Sequence, residues 1–166
     1  QQPENDRAIQ RVRELVKELG IPPYNEQKHR GIVRHTVVRT GVNTGEVMVV
    51  LVTNGLELPH RKRLVRELRE RIPGLASVVQ NIQTKRTNVV LGPENRLLWG
   101  EPVIHDTIGH VRFVISPHSF FQINPEQTEV LYEQVRRYAA LSGRETVIDA
   151  YCGIGTIGLY LAQDAA

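Results

Sequence analysis

Apolar positions recur at helical spacing over residues 6–19, where Ile9, Val12, Val16 and Leu19 predict one buried helix face and Gly20 a stop. Pro22 and Pro23 then interrupt the chain. From Gly31 the pattern changes to β-branched runs, and residues 32–39 and 46–53 read as two strands. Their connector, Thr40-Gly41-Val42-Asn43-Thr44-Gly45, has hairpin chemistry because its glycines can take positive φ. Pro59 opens a second helix with Leu64, Val65, Leu68 and Ile72 on one face, and Pro73-Gly74 closes it. Residues 76–84 return to strand. A β-β-α-β run of this kind predicts an antiparallel sheet with helices on one face, the α+β arrangement.

Residues 88–116 are rich in strand signals, with 103–107 and 110–115 flanking a hairpin turn at Ile108-Gly109. The segment Ser119-Phe120-Phe121-Gln122-Ile123-Asn124-Pro125-Glu126-Gln127 follows. Asn124 is a good N-cap, Pro125 suits the first helical position, and Gln127 completes a frame like a capping box. The helix it opens is expected to run to about Leu141 and to bury Leu131, Val135 and Tyr138, with Gly143 ending it. Thr146-Val147-Ile148-Asp149 then reads as a short buried strand. It feeds Ala150-Tyr151-Cys152-Gly153-Ile154-Gly155-Thr156-Ile157-Gly158 and a last helix reaching Ala166. A single strand–loop–helix unit leaves a strand edge and an apolar helix face uncovered. The chain is therefore expected to be a fragment of two domains: an α+β domain over 1–118, then the incomplete start of an α/β domain over 119–166. Its final helix is expected to pack differently or fray.

The 166 residues are 40% hydrophobic and 23% charged, the proportions of a soluble globular protein. No apolar run approaches the ~20 residues of a membrane span, so a cytoplasmic monomer without a membrane partner is expected. The lone cysteine, Cys152, excludes an internal disulfide, a four-cysteine zinc site and a complete iron–sulfur site. The histidines show no ligand spacing, so no metal site is expected. Net charge is only +3, and its placement says more than the sum. Lys28, His29, Arg30, Arg34, His35 and Arg39 form one basic cluster, which suits a phosphate backbone. Arg61, Lys62, Arg63, Arg66, Arg69 and Arg71 form another, but Glu67 and Glu70 interleave, which reads as ordinary helix-face pairing. Arg30, Arg34 and Arg39 are thus the candidate phosphate contacts. Arg34 and Arg39 would face opposite sides of a regular strand.

The strand–Asp–loop–helix pattern at residues 146–158 has the form of a nucleotide-type site. Glycines let backbone approach a ligand closely, and a following helix favours negative groups. The bare spacing Gly153-x-Gly155-x-x-Gly158 also matches a dinucleotide fingerprint, which keeps an NAD- or FAD-dependent oxidoreductase open. In that version the glycines usually follow the strand directly. Here Asp149-Ala150-Tyr151-Cys152 comes first, an order that resembles motif I of S-adenosylmethionine (SAM)-dependent methyltransferases. Cys152 beside the loop invites a nucleophile reading, but no histidine in the motif could act as its base, and a small, half-buried residue packing the loop is expected.

The pairing of Ser119-Phe120-Phe121-Gln122-Ile123-Asn124 with Asp149-Ala150-Tyr151-Cys152-Gly153-Ile154-Gly155-Thr156 across one helix resembles the RNA uracil-5 methyltransferase family. Lys28-His29-Arg30-Gly31-Ile32-Val33-Arg34-His35 and Thr87-Asn88-Val89-Val90-Leu91-Gly92 are similar to that family as well. The resemblance implies methyl transfer from SAM to C5 of a uridine in ribosomal or transfer RNA, with a Rossmann-like methyltransferase domain. A cysteine thiolate would add to C6 of the flipped base and a glutamate would remove the C5 proton. Both belong to motifs expected beyond Ala166, so no catalytic residue is assigned and this stretch alone is expected to be inactive. Matched residue by residue, the resemblance implies cofactor contacts at Gln122 and Tyr151, with Gly153, Gly155 and Thr156 of the loop and Asp149 before it in the same set. Phe120 and Phe121 are open to three readings, as core, as a stack near the base, or divided between the two, and Phe121 joins Arg30, Arg34 and Arg39 as a candidate RNA contact. It favours 23S rRNA over transfer RNA on the wording Phe121-Gln122-Ile123-Asn124. An iron–sulfur cluster is conceivable in a full-length parent but not here. A non-catalytic RNA-binding module is the alternative of another class.

Overall fold

The computed structural model describes residues 3–121 and 124–166. The first helix, α1 (Pro3–Glu18), buries Ala8, Val12 and Leu15, while Ile9 and Val16 flank that stripe half-buried. Four strands form one sheet: β1 (Val33–Thr40), β2 (Val47–Thr53), β3 (Leu75–Ile82) and β4 (Glu94–Gly100), in the order β1-β2-β3-β4. The helix α2 (Arg61–Arg71) lies between β2 and β3 in the chain. The pairs β1–β2 and β3–β4 are antiparallel, but β2 and β3 run parallel. The sheet is therefore mixed, which corrects the purely antiparallel expectation. The reason is α2, which carries the chain back across the sheet so that β3 starts at the same end as β2.

Two layers sandwich this sheet. On one face, Leu15 of α1 and Leu64 and Leu68 of α2 pack against Val49, Leu51 and Val78. Against the other face lies a hairpin of β5 (Ile104–Ile108) and β6 (Val111–Ile115), whose Ile104 and Ile115 meet Met48, Val50 and Val79. All of β2 is consequently buried, and its sequence is a continuous apolar run rather than an alternation. Each fully buried aliphatic side chain here contributes about 1.5–3 kcal/mol, before the entropy of ordering is subtracted.

The hairpin layer is pinned by charge-assisted hydrogen bonds. The Asp106 carboxylate, fully buried, accepts the amides of Val42 at 3.0 Å and Asn43 at 2.9 Å. The Thr44 hydroxyl donates to the His105 carbonyl at 2.6 Å, and the His105 amide donates to Glu46 at 2.7 Å. Beyond β3, the buried Asn81 holds the next loop. Its amide nitrogen donates to the Gly92 carbonyl at 2.8 Å and its oxygen accepts the Gly92 amide at 2.7 Å. Gly92 is required there, since a Cβ would fall 1.8 Å from the Ile82 carbonyl oxygen.

The helix α3 (Pro125–Ala139) begins as its sequence predicts, with the Asn124 side chain accepting the Gln127 amide at 3.2 Å. Its buried face is different. Pro125, Thr128 and Tyr132 are buried, whereas Leu131 is 55% and Tyr138 82% exposed. Thr128 can be buried because its hydroxyl donates back to the Asn124 carbonyl at 2.7 Å. Residues 146–149 form no strand: among the described residues none pairs with them, and Ile148 is 85% exposed. A strand exists only as part of a hydrogen-bonded ladder, and the apolar run has none to join. The last helix, α4 (Thr156–Leu161), gives way to a 3₁₀ turn (Ala162–Asp164) instead of continuing to Ala166. The Gly143 amide donates to the Asp164 carbonyl at 3.0 Å and Arg136 pairs with the Asp164 carboxylate, so this turn lies against the end of α3.

Candidate functional site

Residues 149–156 make a tight turn into α4. Gly153 and Gly155 take φ of 57° and 81°, a region that other residues enter at a cost of about 1–2 kcal/mol. The Gly155 amide donates to the Cys152 carbonyl at 2.7 Å, and the Gly155 carbonyl accepts the Leu159 amide at 2.9 Å. A Cβ on Gly153 would meet nothing within 4 Å, so this part of the backbone lies open to whatever enters the turn.

A cleft of about 180 Å³ runs beside the turn, with Phe120, Tyr132, Asp149, Tyr151, Thr156 and Ile157 among its lining. Sites that enclose a whole drug-sized molecule are larger, ~300–1,000 Å³, so this cleft suits one end of an extended ligand. Its fixed polar groups are the Asp149 carboxylate and the Thr156 hydroxyl. Asp149 is half-buried, and its Oδ2 is 3.4 Å from where a Cβ of Gly158 would stand. Thr156 Oγ1 accepts the Tyr132 phenol at 2.6 Å. Tyr151, by contrast, is 99% exposed. Cys152 is exposed as well, which corrects its expected half-buried place in the loop, and its Sγ lies 3.7 Å from the Gly153 carbonyl.

Tyr132 is the organising residue that sequence reasoning missed. It is 1% exposed and packs edge-on against Tyr160 of α4, with ring centroids 5.5 Å apart. Both join Ile108 and Phe113 of the hairpin in one cluster. Gly109 at the hairpin turn must lack a side chain, because a Cβ would stand 2.7 Å from Tyr160 Cε2. The glycine turn is therefore seated on the hairpin through aromatic rings. The only sequence signal was indirect: Tyr132 lies four residues after Thr128 on the helix face that looked less apolar.

Of the residues predicted from sequence, Asp149, Tyr151, Gly153 and Thr156 line the cleft and Gly155 caps α4 beside it. Gln122 lies outside the described residues. Phe120 and Phe121 divide as adjacent residues on an extended segment should. Phe120 lines the cleft and is 74% exposed, whereas Phe121 packs against Phe113 with centroids 5.7 Å apart. Of the arrangements open from sequence the two rings thus divide: Phe121, half-buried, is used largely in packing, and Phe120 is the more accessible.

The basic cluster separates in the same way. Arg30 is exposed. Arg34 has no exposed side-chain surface; it donates to the carbonyls of Gln83 and Lys85, each at 2.8 Å, and stacks over Tyr24 at 4.5 Å. It occupies a register shift between Val33 and His35, which takes it out of regular strand alternation. Arg39 donates from Nε and Nη2 to the Pro117 carbonyl, at 3.1 and 2.8 Å, and its burial lowers its pKa. Phosphate contact by Arg34 is thus corrected, and Arg39 is largely committed to the segment that leads to Phe120. Among the described residues no three His, Cys, Asp or Glu side chains gather as a metal site requires. No described helix is long and apolar enough to cross a membrane.

No family model matches the chain. Individual relatives do. An uncharacterized RNA methyltransferase of Halalkalibacterium halodurans is 58% identical over 165 residues, which are 99% of this chain and 36% of that protein. One from Enterococcus faecalis is 52% identical over 165 residues, again 99% of this chain and 36% of the relative. The crystal structure of Pyrococcus abyssi tRNA (uracil-54, C5)-methyltransferase in complex with S-adenosyl-L-homocysteine matches with a TM-score of 0.78 and 32% identity. That match covers 95% of this chain and 37% of that one. The chain spans about a third of the length of the curated relatives it matches. Over this stretch its α+β fold and its sequence are similar to those of RNA methyltransferases. The resemblance read from the motifs around Phe121 and Gly153 is borne out at that level, and the solved neighbour is a uracil-5 enzyme.

Proposed function

We propose that the chain combines the central α+β domain, 1–118, with the opening SAM-binding unit, 119–166, of an RNA methyltransferase that modifies C5 of uridine. The observation that carries this reading is the cleft itself. It brings together an open glycine turn, a half-buried Asp149 and an exposed Phe120, in a chain whose solved neighbour holds S-adenosyl-L-homocysteine. The open backbone at Gly153 and a cleft of about 180 Å³ suit one end of that cofactor.

When bound, SAM supplies an electrophilic methyl group. The chain's own residues bind and orient. Gly153 and Gly155 admit the cofactor to the main chain, Asp149 and Thr156 offer polar contacts, and Gln122 and Tyr151 complete the set. Tyr132 holds the Thr156 hydroxyl in place and thereby fixes the start of α4. Phe120 offers a stacking face at the cleft mouth, and Arg30 remains free to meet a phosphate.

For the RNA itself we favour a uridine in 23S rRNA, on the motif around Phe121. The P. abyssi neighbour, a tRNA enzyme, supports transfer RNA as the second reading. The test uses the full-length protein. Calorimetry should show binding of SAM and none of NAD, and labelled methyl groups should pass to 23S rRNA transcripts in preference to tRNA transcripts. Preference for tRNA selects the second reading. Failure to bind SAM, or preference for NAD, overturns both.

A further inference from the structure

The helix α2 carries six cations, Arg61, Lys62, Arg63, Arg66, Arg69 and Arg71, against two acids, Glu67 and Glu70. From sequence they look like ordinary helix-face pairing, and the structure shows that only part of them is paired. Glu67 is held by Arg66 at 3.0 Å and Arg71 at 3.1 Å. Arg71 also grips Glu18 of α1 at 3.0 Å, so that end of the helix is neutralised. The other end is not. Arg61, Lys62, Val65, Arg96, Leu97 and Leu98 line a groove of about 360 Å³ between α2 and the edge strand β4, and among the described residues no acidic side chain lines it. Next to it, the Arg69 guanidinium lies 4.6 Å over the Trp99 ring and adds a further positive charge to the same side.

We propose that this groove is a second docking surface for RNA, one that takes the sugar–phosphate backbone away from the cofactor cleft. Three properties favour that partner. The groove concentrates uncompensated cations on one edge of a chain whose net charge is only +3. Two of the three lining cations are arginines, whose planar forks match phosphate oxygens. The lining is mainly polar and includes apolar surface from Val65, Leu97 and Leu98, a mixture that suits a sugar–phosphate chain better than an apolar protein surface. The groove also lies on the α1/α2 side of the sheet, whereas the aromatic seat of the glycine turn packs on the hairpin side. An RNA that reached both would pass around the β4 edge. The inference rests on the RNA methyltransferase reading for its choice of partner.

The test measures binding of a uridine-containing single-stranded RNA to the full-length protein by fluorescence anisotropy over a KCl series. The variant Arg61→Gln, Lys62→Gln, Arg96→Gln should bind at least about tenfold more weakly at low salt. The slope of log affinity against log salt should fall by roughly 2, since each lost phosphate contact removes about 0.7. A charge-matched control, Arg7→Gln, Arg11→Gln, Arg13→Gln on α1, should leave both unchanged. Equal losses in the two variants, or no loss in the groove variant, overturn the proposal. So does a groove variant that loses affinity for a polyglutamate peptide but keeps its affinity for RNA. SAM affinity is measured on the same samples. Its absence from the unmodified protein brings down the methyltransferase reading, whereas an unaltered RNA affinity in the groove variant with SAM binding intact brings down the groove alone.

Discussion

Tyr132 donates its phenolic hydrogen to the Oγ1 of Thr156 across 2.6 Å, joining the middle of α3 to the first residue of α4. That bond, with the ring of Tyr160 beside it, is what places the glycine turn against the rest of the chain.

Replacing Tyr132 by Phe keeps the ring and removes the bond. The expected cost is about 1 kcal/mol, or a fall in Tm of about 2–4 °C for a chain of this size. Tyr132→Ala should cost about 3–5 kcal/mol, because the aromatic seat is lost as well. Thermal unfolding followed by near-ultraviolet circular dichroism measures both. SAM affinity of the Phe variant should fall several-fold, and equality with the unmodified protein would show that Thr156 needs no such support.

Gly109→Ala tests the seat from the opposite side. The new methyl would stand 2.7 Å from Tyr160 Cε2, at a residue whose φ is 56°. Crowding and backbone strain together should cost about 2–4 kcal/mol in a urea titration.

Arg34→Lys separates packing from RNA contact. An ammonium cannot reproduce the fork that reaches two carbonyls and stacks on Tyr24. Stability should drop by about 2–3 kcal/mol, while the salt slope of RNA binding stays the same. A reduced slope would return Arg34 to the RNA interface.

Acid should loosen the turn that follows α3. The Ser142 hydroxyl and amide, each 2.7 Å from the Glu145 carboxylate, hold its pKa down to about 2, below the ~4.3 of a free glutamate. The folded chain thus binds this proton less readily than the unfolded one. Its contribution is complete above about pH 4.3 and fades as pH falls toward 2. In Ser142→Ala the carboxyl midpoint, followed by carbon-13 NMR, should rise toward 4. A midpoint that stays put would remove the Ser142 hydroxyl as the cause and leave the amides.

Much of the sheet could be read from the residues. The observed bounds of β1, β2 and β3 fall within two residues of those expected, because β-branched runs ended by Gly and Pro leave few alternatives. The parallel pairing of β2 with β3 was hidden, since it depends on where α2 crosses and not on either strand's composition. Asn124 and Pro125 fixed the start of α3, yet its buried face was misread: a threonine and a tyrosine whose hydroxyls are satisfied inside the fold look polar in a sequence. The glycine turn was legible from its spacing. The run at residues 146–149 was not, because a strand signal says nothing about whether a neighbour is there to pair. Nor could sequence show that Arg34 is buried, which follows from one irregularity in the register of β1.

Connectors between hairpin strands usually accept extra residues at little cost. The one between β1 and β2 should not. The two oxygens of Asp106 are matched to consecutive amides, those of Val42 and Asn43, and Thr44 reaches the neighbouring carbonyl. A single inserted residue would leave a carboxylate sealed inside the protein with at most one donor. Loop length at this site is thereby set by the far layer of the fold, and natural variation in it should be confined to substitution.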